Sequence, residues 1–115
     1  MRDDRLYLLH TLDEIDQALL NASEGKSQYL SDRKTEEATI RNLEVLGEAA
    51  KNVSARLKKS HPEVPWKQAA GFRDKLIHHY FGMNHSRVWE ALTRDMPELK
   101  VQIEAILRGF PQQTL

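Results

Sequence analysis

Between Gly71 and Gly82 the chain gathers one arginine, one aspartate, two histidines and a tyrosine, a denser set of phosphate-binding and proton-moving groups than any other segment holds. Arg73 is a permanent cation whose planar fork of donors suits a phosphate. His78 and His79 can change charge near neutral pH, and the Tyr80 phenol can donate, accept or be modified. Cleaving RNA without a metal needs a group to take the 2′-hydroxyl proton, a group to protonate the leaving oxygen, and cationic donors for the charge on the phosphorane. A histidine pair and an arginine pair satisfy that list.

Geometry limits how one copy could assemble such a site. On an ideal helix Arg73 and Tyr80 stand about 20° apart, but Arg73 and His78 are separated by about 140°. The reach of the arginine, fraying after His78, a bend at Gly71 or a second copy of the segment across a two-fold axis could bring them together; the last is favoured, because a symmetric dimer would gather two arginines and two histidines in one cleft. A histidine in the last helical turn is favoured in its charged form by the dipole, and neighbouring arginines oppose this. Each residue also has a plain structural reading: Arg73 and Asp74 as a surface pair, His78 or His79 as a cap on the last carbonyls, Tyr80 and Phe81 as core aromatics. No metal site is expected, because His78, His79 and His85 lack a carboxylate at a supporting spacing. His10 and His61 look incidental.

The elements that must position this segment read as helices throughout. Residues 3 to about 23 place Leu8, Leu12, Ile15 and Leu19 on one stripe, widened by Leu9 and Leu20, with Gly25 as a stop and Lys26 to Ser31 as a connection. Asp32 is a fitting N-cap for a second helix whose seam runs through Ile40, Leu43, Leu46, Ala50, Val53 and Leu57. Pro62 and Pro65 break the chain, and Pro65 can open a third helix with Trp66, Ala69, Ala70, Phe72, Leu76 and Ile77 inward and Gly82 as its stop. The fourth starts at Asn84 or Ser86 and carries Trp89, Leu92, Met96, Leu99, Ile103, Ile106 and Phe110. A kink or a restart capped by Asp95 is expected at Pro97. The expected fold is all-α, an antiparallel bundle of four to five helices in a single domain over residues 1–110, with 111–115 as a flexible tail.

With 115 residues the chain can bury one core without staples. It has no cysteine, which excludes disulfides and a thiolate nucleophile, and no long apolar run, so neither a signal peptide nor a membrane span is expected and a cytoplasmic location fits. Seventeen basic and seventeen acidic residues cancel, yet they are unevenly placed. Residues 51–87 hold eight cations against two carboxylates, a local balance of +6 that could steer a polyanion.

Arg73 to Tyr80 resembles the Arg-x4-His-x-Tyr motif of HEPN-domain toxins of the HepT type. The likeness extends to Arg33–Lys51, Val64–Trp66, Tyr80–Gly82 and Val88–Glu90, in that family's order, over about residues 3 to 108. The resemblance implies a dimeric HEPN bundle acting as a metal-independent endoribonuclease, the toxin of a type VII toxin–antitoxin module with RNA (tRNA or mRNA) as substrate. It makes Arg73 and His78 the catalytic pair and Asp74 a supporting polar group. Tyr80 becomes the tyrosine to which a minimal nucleotidyltransferase antitoxin of the MntA type adds AMP. Lys75 and His79 become candidate RNA-binding groups. No cofactor is implied for this chain, since the ATP is used by the antitoxin. The alternative is a non-catalytic helical dimer that binds a nucleotide or a partner, or serves only as a dimerisation bundle.

Overall fold

A computed structural model describes residues 3–71 and 85–110 of the chain, and all the regular structure among them is helical. Helix α1 spans Asp4–Asn21 and starts where the Asp3 carboxylate accepts the Leu6 N–H at 3.1 Å. Its inward stripe is Leu8, Thr11, Ile15 and Ala18. Leu12 and Leu19 pack at its margin, whereas Leu20, expected to widen the stripe, stands 63% exposed.

The stretch expected as a connection is a further turn of helix, α2 (Lys26–Ser31). Gly25 makes this entry possible by taking φ +94°, a left-handed conformation that suits a residue without Cβ. Asp32 then caps α3 (Arg33–Asn52), its carboxylate accepting from the Lys34 N–H at 3.0 Å and the Thr35 hydroxyl at 2.9 Å. Those bonds, the Thr35 hydroxyl first, hold the Asp32 carboxyl below the usual range.

The second helix ends sooner than its apolar seam suggests. Val53 turns extended, and Ser54 starts a separate helix, α4 (Ala55–Ser60), by accepting the Leu57 N–H at 3.2 Å. The break has a tertiary cause: the Ser54 N–H and hydroxyl both donate to the Asp4 carboxylate, at 2.8 and 2.6 Å, tying α4 to the start of α1. Val53 remains buried and Leu57 partly so, which is why the sequence period passes through the break unchanged. Pro65 precedes α5 (66–71), its carbonyl accepting from the Ala69 N–H at 3.0 Å. Phe72, Leu76, Ile77 and the stop expected at Gly82 lie outside the described residues.

After α6 (His85–Glu90), residues Ala91–Asp95 form one π turn that leads into α7 (Met96–Arg108). The Met96 N–H donates to the Ala91 carbonyl, five residues back. Pro97 lacks an N–H and its ring crowds the carbonyl four residues earlier, at Thr93. The widened turn absorbs that conflict without a break, and Asp95 makes no side-chain cap.

Helix α1 packs chiefly along α3 and then against α7. One apolar cluster joins all of these segments, from Leu8 and Ile15 through Tyr29, Leu43, Leu46, Val64 and Trp66 to Leu92, Met96 and Ile103. Polar clasps fix the register. Asn42 donates to Glu14 at 2.8 Å and accepts from Asn21 at 2.9 Å, bridging α1 and α3. Lys100 of α7 reaches Asp16 of α1 at 2.8 Å, an interaction that raises the lysine's pKa. More pieces result than the four to five helices expected, because residues 26–31 coil and the second helix divides.

Candidate functional site

Arg73, Asp74, Lys75, His78, His79 and Tyr80 all lie outside the described residues. The described structure does establish how the chain is held on either side. On the N-terminal side, Trp66 is buried and its indole N–H donates to the His61 carbonyl at 2.9 Å, and Ala69 is buried on the inner side of α5. His61, incidental in the sequence, is thus a structural corner: it accepts from Trp66, its own N–H closes α4, and its ring meets Glu63 at 3.2 Å.

On the C-terminal side, the first residue of α6 is fastened to α3. His85 Nδ1 lies 2.7 Å from Glu36 Oε2, and the Glu36 side chain is only 16% exposed. Val88 is buried, and the Trp89 ring tilts against Tyr29 at 5.1 Å between centroids. Tyr29 is fully buried, and its hydroxyl has no hydrogen-bond partner among the described residues. Burial first, and then the negative charge of Glu36, pushes its phenol up to about 12. Thr39 opposes that rise, although its hydroxyl is donated to the Thr35 carbonyl at 2.8 Å and forms no bond to the phenol by distance and angle. Tyr29 therefore stays neutral near pH 7 and is a packing residue rather than a proton carrier.

Glu36 and Tyr29 were not singled out in the sequence. Their partners lie 49 residues or more along the chain, a separation that no local pattern reports. Glu36 reads locally as an acidic residue in an early turn of α3. His85, grouped in sequence with His78 and His79, is occupied by a carboxylate. Among the described residues, no three His, Asp or Glu side chains converge as a metal site.

Charge is sorted between two surfaces. A groove of about 670 Å³ between α1 and α3 is lined by Asp13, Glu14, Glu44 and Glu48, with His10 and Arg41 as its basic members. Around the end of α3, α4 and α5, by contrast, Lys51, Arg56, Lys59 and Lys67 are exposed.

Comparison with known proteins adds the following. Residues 8–106 match the sequence family described as "Ribonuclease HepT-like". A protein of Caldanaerobacter subterraneus subsp. tengcongensis named as a candidate RNase is 41% identical over 110 residues, 94% of this chain and 97% of its own length. One from Thermococcus cleftensis, named "Probable ribonuclease HepT", is 46% identical over 78 residues, covering 68% of this chain and 71% of that one. No solved structure matches the chain.

Proposed function

The chain belongs to the HepT-like ribonuclease family, and we propose that it is a metal-independent endoribonuclease, the toxin of a type VII toxin–antitoxin pair. The observation that carries this reading is that the matched region, residues 8–106, encloses Arg73, His78 and Tyr80 at the Arg-x4-His-x-Tyr spacing. The names of its relatives point the same way, both denoting RNases.

The reaction follows from those side chains. One histidine takes the 2′-hydroxyl proton as the 2′-oxygen attacks phosphorus. The bond from phosphorus to the 5′-oxygen then breaks, and a protonated histidine delivers its proton to the departing oxygen. The products are a 2′,3′-cyclic phosphate and a 5′-hydroxyl, with no oxidant or metal in the balance. Arg73 places two donors on the phosphorane oxygens as their charge grows, and removing such donors commonly costs about 10²–10³ in rate. Because on an ideal helix Arg73 and His78 would stand about 140° apart, the proposed cleft is shared by two copies of the chain, with Asp74 supporting and Lys75 and His79 contacting RNA. His78 is the proposed acid–base residue because it stands at the motif position.

Tyr80 supplies the switch. Its phenolic oxygen attacks the α-phosphorus of ATP in a partner nucleotidyltransferase, pyrophosphate leaves, and the phenol proton passes to solvent. The attached AMP adds bulk and a negative phosphodiester beside a site for RNA phosphate, so RNA is repelled.

The deciding experiment follows cleavage of cellular RNA in EDTA by the wild type, by Arg73→Ala and by His78→Ala, with intact mass read before and after exposure to the neighbouring nucleotidyltransferase and ATP. Cleavage by the wild type alone, with both variants inactive yet fully helical, is expected. So is added AMP mass on Tyr80 that silences the enzyme. A variant that cuts at the wild-type rate removes that residue from the mechanism, and absence of cleavage at every pH favours a non-catalytic binding dimer.

A further inference from the structure

We infer that the end of α3, α4 and the start of α5 form an electrostatic docking surface for the RNA backbone, with Lys51, Arg56, Lys59 and Lys67 as its phosphate contacts. This inference rests on the ribonuclease reading and adds to it a surface outside the proposed catalytic motif.

Helix α4 is unusual in what it lacks. None of its six residues is buried, and it contains no acid. Leu57 alone leans on the core. A helix this short is not stable by itself, yet α4 is held firmly: Ser54 caps it and binds Asp4 twice, and Lys58 Nζ donates to the Lys51 carbonyl at 3.1 Å across the break from α3. The scaffold thus fixes an element whose outer side is Arg56 and Lys59, three residues apart and so on one face.

The neighbouring cations extend that face. The Lys58 bond sets the end of α3, with exposed Lys51, against α4. The bonds from the Val64 and Trp66 N–H groups and the Trp66 indole fold residues 61–66 into a tight turn directly after α4, and exposed Lys67 follows that turn. Lys67 sits in the first turn of α5, where a cation gains nothing from the helix dipole, so helix stability does not account for it. Across residues 51–71 there are five cations and one acid, Glu63, which is engaged by His61. The α1–α3 groove, with Asp13, Glu14, Glu44 and Glu48, repels the same polyanion. Among the described surfaces, charge complementarity therefore favours an approach for RNA over α4 and the start of α5. Contacts of this kind position a strand without reading its sequence.

The test compares the wild type with Arg56→Glu/Lys59→Glu/Lys67→Glu and with a control of equal charge change, Lys26→Glu/Lys34→Glu/Arg108→Glu. All six positions are exposed. Binding of a labelled single-stranded RNA is followed by anisotropy in EDTA at several salt concentrations, and cleavage of a long and a short RNA is measured beside it. The α4–α5 variant should lose affinity and reduce the slope of log affinity against log salt by about 2, three contacts at roughly 0.7 each. It should raise KM for the long RNA while kcat, and cleavage of a short oligonucleotide, stay unchanged. The control should behave as the wild type. Equal affinity and slope in the α4–α5 variant, or equal losses in the control, would overturn the surface. If the wild type binds RNA with this salt dependence but never cuts it, the surface stands and the ribonuclease reading falls. If it binds no RNA, the surface falls as well.

Discussion

Tyr29 shows at the scale of one residue how the core holds a polar group that none of the described residues satisfies. Its ring fills space against Trp89, while its hydroxyl is shut away without a partner among the described residues. An unbonded buried hydroxyl contributes nothing to offset its lost hydration, so Tyr29→Phe should leave stability at neutral pH unchanged or raise it by up to about 1 kcal/mol. The difference should grow in alkali. The phenol's pKa is near 10.0 when unfolded and about 12 when folded, so the unfolded state loses its proton first. The stability this gives is complete below pH 10 and is lost as pH rises toward 12, by roughly 2 to 3 kcal/mol at the limit. Urea titrations of wild type and Tyr29→Phe across that range should diverge, with the phenylalanine protein the less sensitive. Parallel curves would mean that the phenol ionises in the folded state as easily as in the unfolded one.

Ser54 plays the corresponding part at the scale of elements. One side chain closes the gap after α3, caps α4 and ties both to α1 through Asp4. Ser54→Ala removes the cap and the bond from the hydroxyl and leaves one Asp4 oxygen without that donor. A loss of about 1 to 3 kcal/mol is expected in a urea melt. Ser54→Thr, which keeps the hydroxyl, should recover most of it; equal loss in both would point to packing rather than hydrogen bonding. The same site marks what the sequence could tell. Helices α1, α3 and α7 were legible because their apolar residues recur every three or four positions, and Asp32 announced its helix. The break at Val53 was not, because Val53 and Leu57 stay in phase with the seam and the cause, Asp4, lies fifty residues away. Pro97 signalled a disturbance, but a π turn and a capped restart leave the same trace in sequence. For the candidate site, the motif itself is a local pattern and could be read, whereas the Glu36–His85 clasp beside it joins residues too distant for any spacing rule.

At the scale of the whole molecule the question is how Arg73 and His78, whose spacing on an ideal helix would set them about 140° apart, can both act on one phosphate. The proposed answer is that the cleft belongs to two chains, so that the arginine and the histidine acting on one RNA need not come from the same copy. This has a consequence that single variants cannot show. Arg73→Ala and His78→Ala homodimers each lack one of the two functions and should be inactive. Unfolded together and refolded, they form mixed dimers as about half of the population if pairing is random. Each mixed dimer retains one Arg73 and one His78 in its cleft, which suffices if the same imidazole takes the 2′-hydroxyl proton and then delivers it to the leaving oxygen. Cleavage should then reappear on mixing, rising as subunits exchange, while either variant refolded alone stays silent. A mixture that remains inactive, although subunit exchange is confirmed by native mass, would show that each site draws both residues from one chain or needs both copies of each, and the single-pair shared cleft would have to be abandoned.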